Sequence, residues 1–387
     1  MPSRCIHFGK CGGCCLLDRP YSEQLDIKRA KLEELFGKFR LSIPAVLPCS
    51  EQLYYRHKVQ LPFSPGKRKN SREVLLGCYG KDSHDVIDQK ECLVQDRELS
   101  TIAWTIREWA SAARMTTYDE NTGNGYLRHV LLRKGVSTDE ILIGLVTNGG
   151  RQEGSRNLSV KLLEMIGNKG IDTRKIAGII QNVNTRRTNV VLGEREYAWW
   201  GRSFLKEKLG SFSFHAGLST FFQVNPFQTP VLYDQVLKHV PERSRVLDVY
   251  CGVGSISLWV SKKASAVVGI EENIVSVKAA RAAASANKIH NVTFYAGDAA
   301  GEVPFRIKGG VDAVIVDPPR KGLETTVVEH LRNAGIQRLI YVSCNPDSLA
   351  RDTELLRPAL KLISLQGVDM FPQTDHIETV AVFERYL

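Results

Sequence analysis

Near the C-terminus a cysteine stands in Ser343-Cys344-Asn345-Pro346, directly after the apolar run Leu339-Ile340-Tyr341-Val342. The run reads as a buried strand that Asn345-Pro346 ends, so Cys344 falls at a strand tip, where a side chain can project into a cleft. A thiolate attacks carbon. A free cysteine also packs well in a core, and the surrounding motifs decide between the two. Upstream, Asp248-Val249-Tyr250-Cys251-Gly252-Val253-Gly254 has the glycine turn typical of S-adenosylmethionine binding. A methyl donor beside a carbon-attacking thiol points to methylation of a carbon that needs covalent activation.

Carboxylates recur at matching places. Glu271 ends the next strand, where an acid can bind ribose hydroxyls; a nicotinamide cofactor would use the same layout. Asp298, after a third strand, can accept a hydrogen bond from an adenine amino group. Asp317 opens Asp317-Pro318-Pro319-Arg320 after a fourth strand and points at the reacting end of the donor. Its prolines fix the loop, and its carboxylate could accept from the imide N–H of a base. Glu378, in Phe371-Pro372-Gln373-Thr374-Asp375-His376-Ile377-Glu378, is a candidate general base before the last strand. A carboxylate ordinarily titrates near ~4.3, so useful basicity requires desolvation or a like-charged neighbour. His376 competes for the same role, because imidazole titrates close to neutrality.

These residues need a scaffold. From Arg245 onward strands and helices alternate: strands at Arg245–Val249, Ala266–Glu271, Val292–Tyr295, Val311–Val316 and Leu339–Ser343, with helices from about Ser255, over Ile274–Asn287 and over Thr325–Asn333. Ile363–Val368 and Thr379–Phe383 close the series. Such alternation predicts an α/β fold with a doubly wound, mainly parallel sheet and ligands at the strand C-termini. The preceding half reads as an α+β module on a small antiparallel sheet, with strands near Tyr55–Leu61, Val74–Tyr79, His129–Arg133, Glu140–Thr147, Ile176–Val183 and Val190–Gly193. Helices are expected at Asp96–Ala113 and Asn157–Gly167. Residues 21–39 are amphipathic, with Leu25, Leu32, Leu35 and Phe36 on one helical face. The expected domains are 1–205, the α+β module, and 206–387, the catalytic domain, with the 21–39 helix a candidate to pack on the latter.

Charge is lopsided in the 387-residue chain, whose net charge is +10. Residues 1–205 hold 32 Lys and Arg against 23 Asp and Glu, while residues 206–387 hold 20 against 19. A basic front half suits a polyanion such as RNA, with Lys67-Arg68-Lys69 and Arg186-Arg187 as its densest clusters. The start carries no signal-peptide apolar segment, and no apolar run is long enough for a bilayer. A cytoplasmic, membrane-free monomer is expected.

Nine cysteines in such a chain argue against a disulfide scaffold. Cys5, Cys11 and Cys14 give C-x5-C-x2-C around Gly12-Gly13, and Cys92 is the natural distant fourth ligand. Four thiolates suit zinc or an iron–sulfur cluster equally. Cys15, Cys49, Cys78 and Cys251 lack such company and read as packing residues.

Taken together, the cysteine set, Phe222-Gln223-Val224-Asn225, Asp248–Gly254, Asp317–Arg320, Ser343–Pro346 with Leu349-Ala350-Arg351-Asp352, and Phe371-Pro372 through His376 and Glu378 resemble the RNA uracil-C5 methyltransferase family. That family makes 5-methyluridine in ribosomal and transfer RNA. The resemblance implies Cys344 as nucleophile and Glu378 as the base that removes the C5 proton. It implies Gln223, Tyr250, Ser255, Glu271, Asp298 and Asp317 around the S-adenosylmethionine and uracil pocket. It implies a [4Fe–4S] cluster on Cys5, Cys11, Cys14 and Cys92. Relatives commonly carry an N-terminal oligonucleotide-binding barrel of the TRAM type; here the first cluster cysteine is already residue 5, so this is expected to be a TRAM-less member acting on 23S ribosomal RNA. Transfer RNA uridine or RNA cytosine C5 are the alternative targets, and an iron–sulfur RNA-binding protein without catalysis is the non-enzymatic one. Amino-group methylation fits less well, since its Pro-Pro motif typically ends in an aromatic residue where this chain has Arg320.

Overall fold

The computed structural model describes residues 5–66 and 73–386, so the Lys67-Arg68-Lys69 cluster lies outside the described residues. The chain divides into two compact units. Met1–Asp18, Glu51–Lys208 and His215–Ser219 form the first; Arg19–Ser50, Leu209–Phe214 and Thr220–Leu387 form the second. Among the described residues no helix is long and apolar enough to cross a membrane.

The first unit is built on seven strands: β1 (Lys58–Pro65), β2 (Val74–Tyr79), β3 (Val86–Asp88), β4 (Leu127–Lys134), β5 (Ile141–Thr147), β6 (Ile176–Val183) and β7 (Arg195–Gly201). Their order is β3-β2-β1-β4-β5-β6-β7. The sheet is antiparallel except at β5/β6, where the helix Ser155–Asn168 supplies the crossover that parallel neighbours require. Helix Arg97–Ala112 starts at Asp96, whose Oδ1 accepts from Leu99 N at 3.0 Å. Leu99, Ile102, Ile106 and Trp109 line its inner side, packed with Val130, Leu132, Ile143 and Ile179 of the sheet.

The strand expected at Val190–Gly193 is instead an irregular segment, and β7 begins two residues later. Two buried amides take that segment in place of a ladder. Asn184 Nδ2 donates to the carbonyls of Val190 and Val191, while Asn182 Oδ1 accepts from Gly193 N at 2.7 Å and its Nδ2 donates back to Gly193 O. A Cβ at Gly193 would run into the Val183 carbonyl, so only glycine lets the chain pass there.

Strands β8 (Phe204–Leu209) and β9 (Phe212–Gly217) make a two-stranded sheet. The second unit then holds β10 (Arg245–Val249), β11 (Ala266–Glu271), β12 (Val292–Ala296), β13 (Ala313–Val316), β14 (Arg338–Ser343), β15 (Leu360–Val368) and β16 (Glu378–Arg385). Their order is β12-β11-β10-β13-β14-β16-β15, parallel through β14, with β16 antiparallel to both its neighbours. This is the doubly wound sheet that the alternation predicts. Val314, Val316, Leu339 and Tyr341 face one core; Ile315, Ile340 and Val342 face the other. Burial on both faces explains why these strands read as unbroken apolar runs.

Three helices have no counterpart in the periodicity: Thr229–His239, Ala299–Ile307 and Pro346–Leu356. Each contains a proline. In the first and last the proline lies in the opening turn, where its missing N–H costs nothing. The helix Tyr21–Phe36 buries Gln24, Lys28, Leu32 and Phe36, while Leu25 and Leu35 are only half-buried. Two of its four buried positions are polar, which an apolar-stripe reading cannot find.

Candidate active site

Because β10, β11, β13 and β14 are parallel, their C-terminal ends emerge together. Asp317 follows β13, and Cys344 follows β14. Ser343 pairs with Thr379 on antiparallel β16, so Glu378, its first residue, comes to the same end of the sheet as Cys344. Three chemically capable groups far apart in sequence thus share one locality. Cys344 is half-buried and Glu378 is 3% exposed.

Their electrostatics are mutual. Burial, then the carboxylates of Glu378 and Asp317, push the Cys344 thiol up to about 11, with Arg320 opposing. Burial, then Asp317, holds the Glu378 carboxyl well above the usual carboxylate range, again against Arg320. Burial and the neighbouring Asp248 push Asp317 up to about 7. Asp248 is itself pushed up to about 7 by burial, against hydrogen bonds from Ser257. The like-charged neighbour that a basic Glu378 requires is therefore Asp317.

Hydrogen bonds tie the loops of this site together. Asn345 Nδ2 donates to the Arg320 carbonyl at 2.9 Å, and its Oδ1 caps the helix Pro346–Leu356 by accepting from Asp347 N. Buried Asp352 accepts at 2.8 Å from both Tyr341 Oη and Leu323 N. Arg320, Cys344, Asn345, Asp375 and His376 line one recess, with Lys31 at its side. His376 is exposed, and Arg320 Nη2 lies 3.2 Å from its Nδ1.

The glycine turn lies after β10. Tyr250 occupies the left-handed region at φ +67°, a strained conformation for a residue with a side chain. Gly252 N donates to Glu271 Oε2 at 3.1 Å, and Asn273 N to Oε1 at 2.9 Å. Gly254 follows at φ +77°, where a Cβ would come 2.5 Å from the Phe294 ring. The space beside Gly252 is open, and Asp248 Oδ1 is buried with no hydrogen-bond partner among the described residues. An open backbone turn with an acid at the next strand end fits an adenosine-bearing ligand. Ser255 Oγ shares a hydrogen bond with Tyr233 Oη at 2.8 Å. Asp298 is exposed and caps the helix Ala299–Ile307 through Gly301 N at 3.1 Å. Half-buried Gln223 lies in the irregular stretch before Thr229–His239, anchored two residues on by Asn225 Nδ2 donating to Met370 O.

In the first unit Cys5, Cys11, Cys14 and Cys92 line one recess. Among the described residues no disulfide joins two cysteines, and no group of three or more His, Cys, Asp or Glu side chains is disposed to hold a metal ion. Cys78, expected only to pack, lines the same recess. A hydrogen bond with Cys78 pushes Cys11 down to about 6 against burial, helped by Gly13 N–H and Arg56, whereas burial and the charge of Cys92 push Cys14 up to about 12. Cys78 reaches the recess from β2, so no local spacing marks it. Tyr233 was likewise invisible, since nothing in the sequence signals its bond to Ser255.

The profile of the tRNA (uracil-5-)-methyltransferases matches residues 212–386. An uncharacterised RNA methyltransferase of Leptospira interrogans is 42% identical over 385 residues, covering 98% of both chains. The chain belongs to a family of RNA methyltransferases. It is an enzyme of that class. A second relative, an uncharacterised RNA methyltransferase of Clostridium acetobutylicum, is 37% identical over 98% of this chain and 83% of its own. Among solved structures, the tRNA (uracil-54, C5)-methyltransferase of Pyrococcus abyssi in complex with S-adenosyl-L-homocysteine superposes with a TM-score of 0.77 at 26% identity, covering 96% of this chain and 85% of that one.

Proposed function

We propose that this methyltransferase transfers a methyl group from S-adenosylmethionine to C5 of a uridine in RNA through a transient bond between Cys344 and C6. The observation that carries the reading is the convergence of Cys344, Glu378 and Asp317 at one end of the sheet. When bound, the donor supplies an electrophilic methyl group; the open turn at Tyr250–Gly254 with Glu271 is its proposed seat, with Gln223, Ser255 and Asp298 around it. The Cys344 sulfur gives an electron pair to C6, and the C5–C6 π pair moves toward C4 and its oxygen as an enolate. The electron-rich C5 would then bond to the methyl carbon as the methyl–sulfur bond of the donor breaks, its electron pair staying on the sulfur of the departing thioether S-adenosylhomocysteine. Glu378 takes the C5 proton, the C5–C6 double bond re-forms, and the Cys344 sulfide leaves. Asp317 accepts from the N3–H of the ring and sets its edge. Glu378 suits the base better than His376, because it is buried with its carboxyl held well above the usual carboxylate range while His376 is exposed beside Arg320. A duplex hides C6 inside the stack, so the uridine must be unpaired or flipped out.

Ribosomal 23S RNA is the substrate we assign first. Transfer RNA is the second reading, favoured by the likeness to the Pyrococcus abyssi enzyme, whose target is uracil-54 of tRNA. Mapping 5-methyluridine in total RNA from cells with and without the protein tests both. One 23S position should lose its methyl group; loss from tRNA would select the second reading, and loss of 5-methylcytidine would overturn the uridine assignment.

We also infer that Cys5, Cys11, Cys14 and Cys92 bind a [4Fe–4S] cluster, supported by the recess they share and the soft four-thiol donor set. Anaerobic purification should give a brown protein with about four iron and four sulfide per chain. A colourless protein with stoichiometric zinc would overturn the inference.

A further inference from the structure

We propose that Lys28 and Gln24, on the helix Tyr21–Phe36, are positioning residues for the loop that carries the base Glu378. The proposal rests on Glu378 having the role proposed above. The loop joins β15 to β16 and runs from Asp369 to Ile377, all within the second unit. Lys28 Nζ donates to Asp369 Oδ1 at 2.6 Å and to the Phe371 carbonyl at 3.1 Å, and both side chains of this ion pair are fully buried. Tyr21 Oη donates to Asp369 Oδ2 at 2.8 Å. Gln24 and Gln373 pair reciprocally: Gln24 Nε2 donates to Gln373 Oε1, and Gln373 N donates to Gln24 Oε1, each at 2.9 Å.

The contacts run onward to the recess. The Phe371 carbonyl held by Lys28 also accepts from Thr374 Oγ1 at 2.8 Å, and Thr374 Oγ1 in turn accepts from His376 N at 3.3 Å. The Phe371 ring packs edge-on against His376, whose Nδ1 faces Arg320. Gln373 sits at φ +71°, a left-handed conformation that costs free energy unless its surroundings hold it. Gln24 is the partner that holds it. Replacing a buried ion pair by apolar groups is often neutral or stabilising, so fold stability alone is a weak reason for one at this place. Placing the next residues accounts for it better. A displacement of about 1 Å at a reacting group costs as much as about a hundredfold in rate.

The test separates formation of the Cys344 adduct from its resolution, since only resolution uses Glu378. Gln24→Met keeps the helix and introduces no buried charge. Lys28→Met combined with Asp369→Asn removes both charges together, so neither is left unpaired. Single-turnover reactions on unmodified substrate RNA, read on denaturing gels, give both rates, and RNA carrying 5-fluorouridine reports formation alone. In each variant adduct formation should stay within about twofold of wild type while its decay slows about tenfold, with KM for RNA unchanged. Wild-type decay rates in both variants would overturn the proposal. So would equal losses in formation and decay that follow the change in Tm, because that pattern marks a structural contact only. If wild type gives no adduct on 5-fluorouridine RNA, the role assigned to Cys344 fails and this inference falls with it.

Discussion

Cys344→Ala should abolish turnover, by at least about 10⁴-fold, while leaving donor affinity within about twofold of wild type. The size follows from what the sulfur does: without addition at C6, C5 carries no developed charge, and removing the nucleophile of a covalent enzyme removes nearly all that depends on it. Donor binding survives because the turn at Tyr250–Gly254 and Glu271 are held by backbone hydrogen bonds that do not involve position 344. Calorimetric titration with S-adenosylmethionine and tritium transfer to RNA read the two quantities. Continued multiple-turnover methylation by the variant would reject the covalent route. The wild-type thiol adds a pH signature. Burial, Glu378 and Asp317 push it up to about 11, so at neutral pH it rests protonated. The thiolate fraction, and with it adduct formation, should rise up to about tenfold per pH unit between about pH 6 and 8. A flat profile there would show that thiol ionisation does not limit the step.

The fold of the second unit is legible in the sequence because its candidate residues fall at the ends of strands. Apolar runs mark β10, β11, β13 and β14, and the residues at or just past their C-terminal ends are the candidates: Tyr250, Glu271, Asp317 and Cys344. Glu378, the remaining candidate, is the first residue of β16. Non-local contacts were not legible. Helix periodicity counts apolar side chains, so it selected Leu25 and Leu35 and passed over Gln24 and Lys28, which are buried through partners more than 340 residues away. Cys78 has no neighbouring cysteine in sequence to mark it, although β2 carries it into the recess of the other four. The sequence suggests a strand at Val190–Gly193, whereas Asn182 and Asn184 bind its carbonyls from the side. In each case a polar side chain on a distant element decides the outcome, and no local propensity encodes that.

Glu378→Gln should convert a transient intermediate into a stable product. Two effects act in opposite directions on the two halves of the reaction. The like charge that helps keep the Cys344 thiol protonated is gone, so addition to C6 should be at least as fast as in wild type. The amide cannot accept the C5 proton, so elimination should slow by about 10²–10⁴-fold. Covalent protein–RNA complex should therefore accumulate, survive denaturation and carry the methyl group at C5. A complex that dissociates freely on denaturation would argue against Glu378 as the base. Stability gives an independent reading of the same burial. The folded state holds the Glu378 carboxyl well above its ordinary range, so the folded protein binds that proton more tightly than the unfolded chain. Its contribution is full below about pH 4.3 and is lost as pH rises through the raised value. Glutamine has no such proton to lose, so the Tm of the variant should gain on wild type as pH rises from about 5 to 8. A gap that stays constant with pH would place the Glu378 carboxyl in an ordinary solvated environment, and its basicity would then have no physical source.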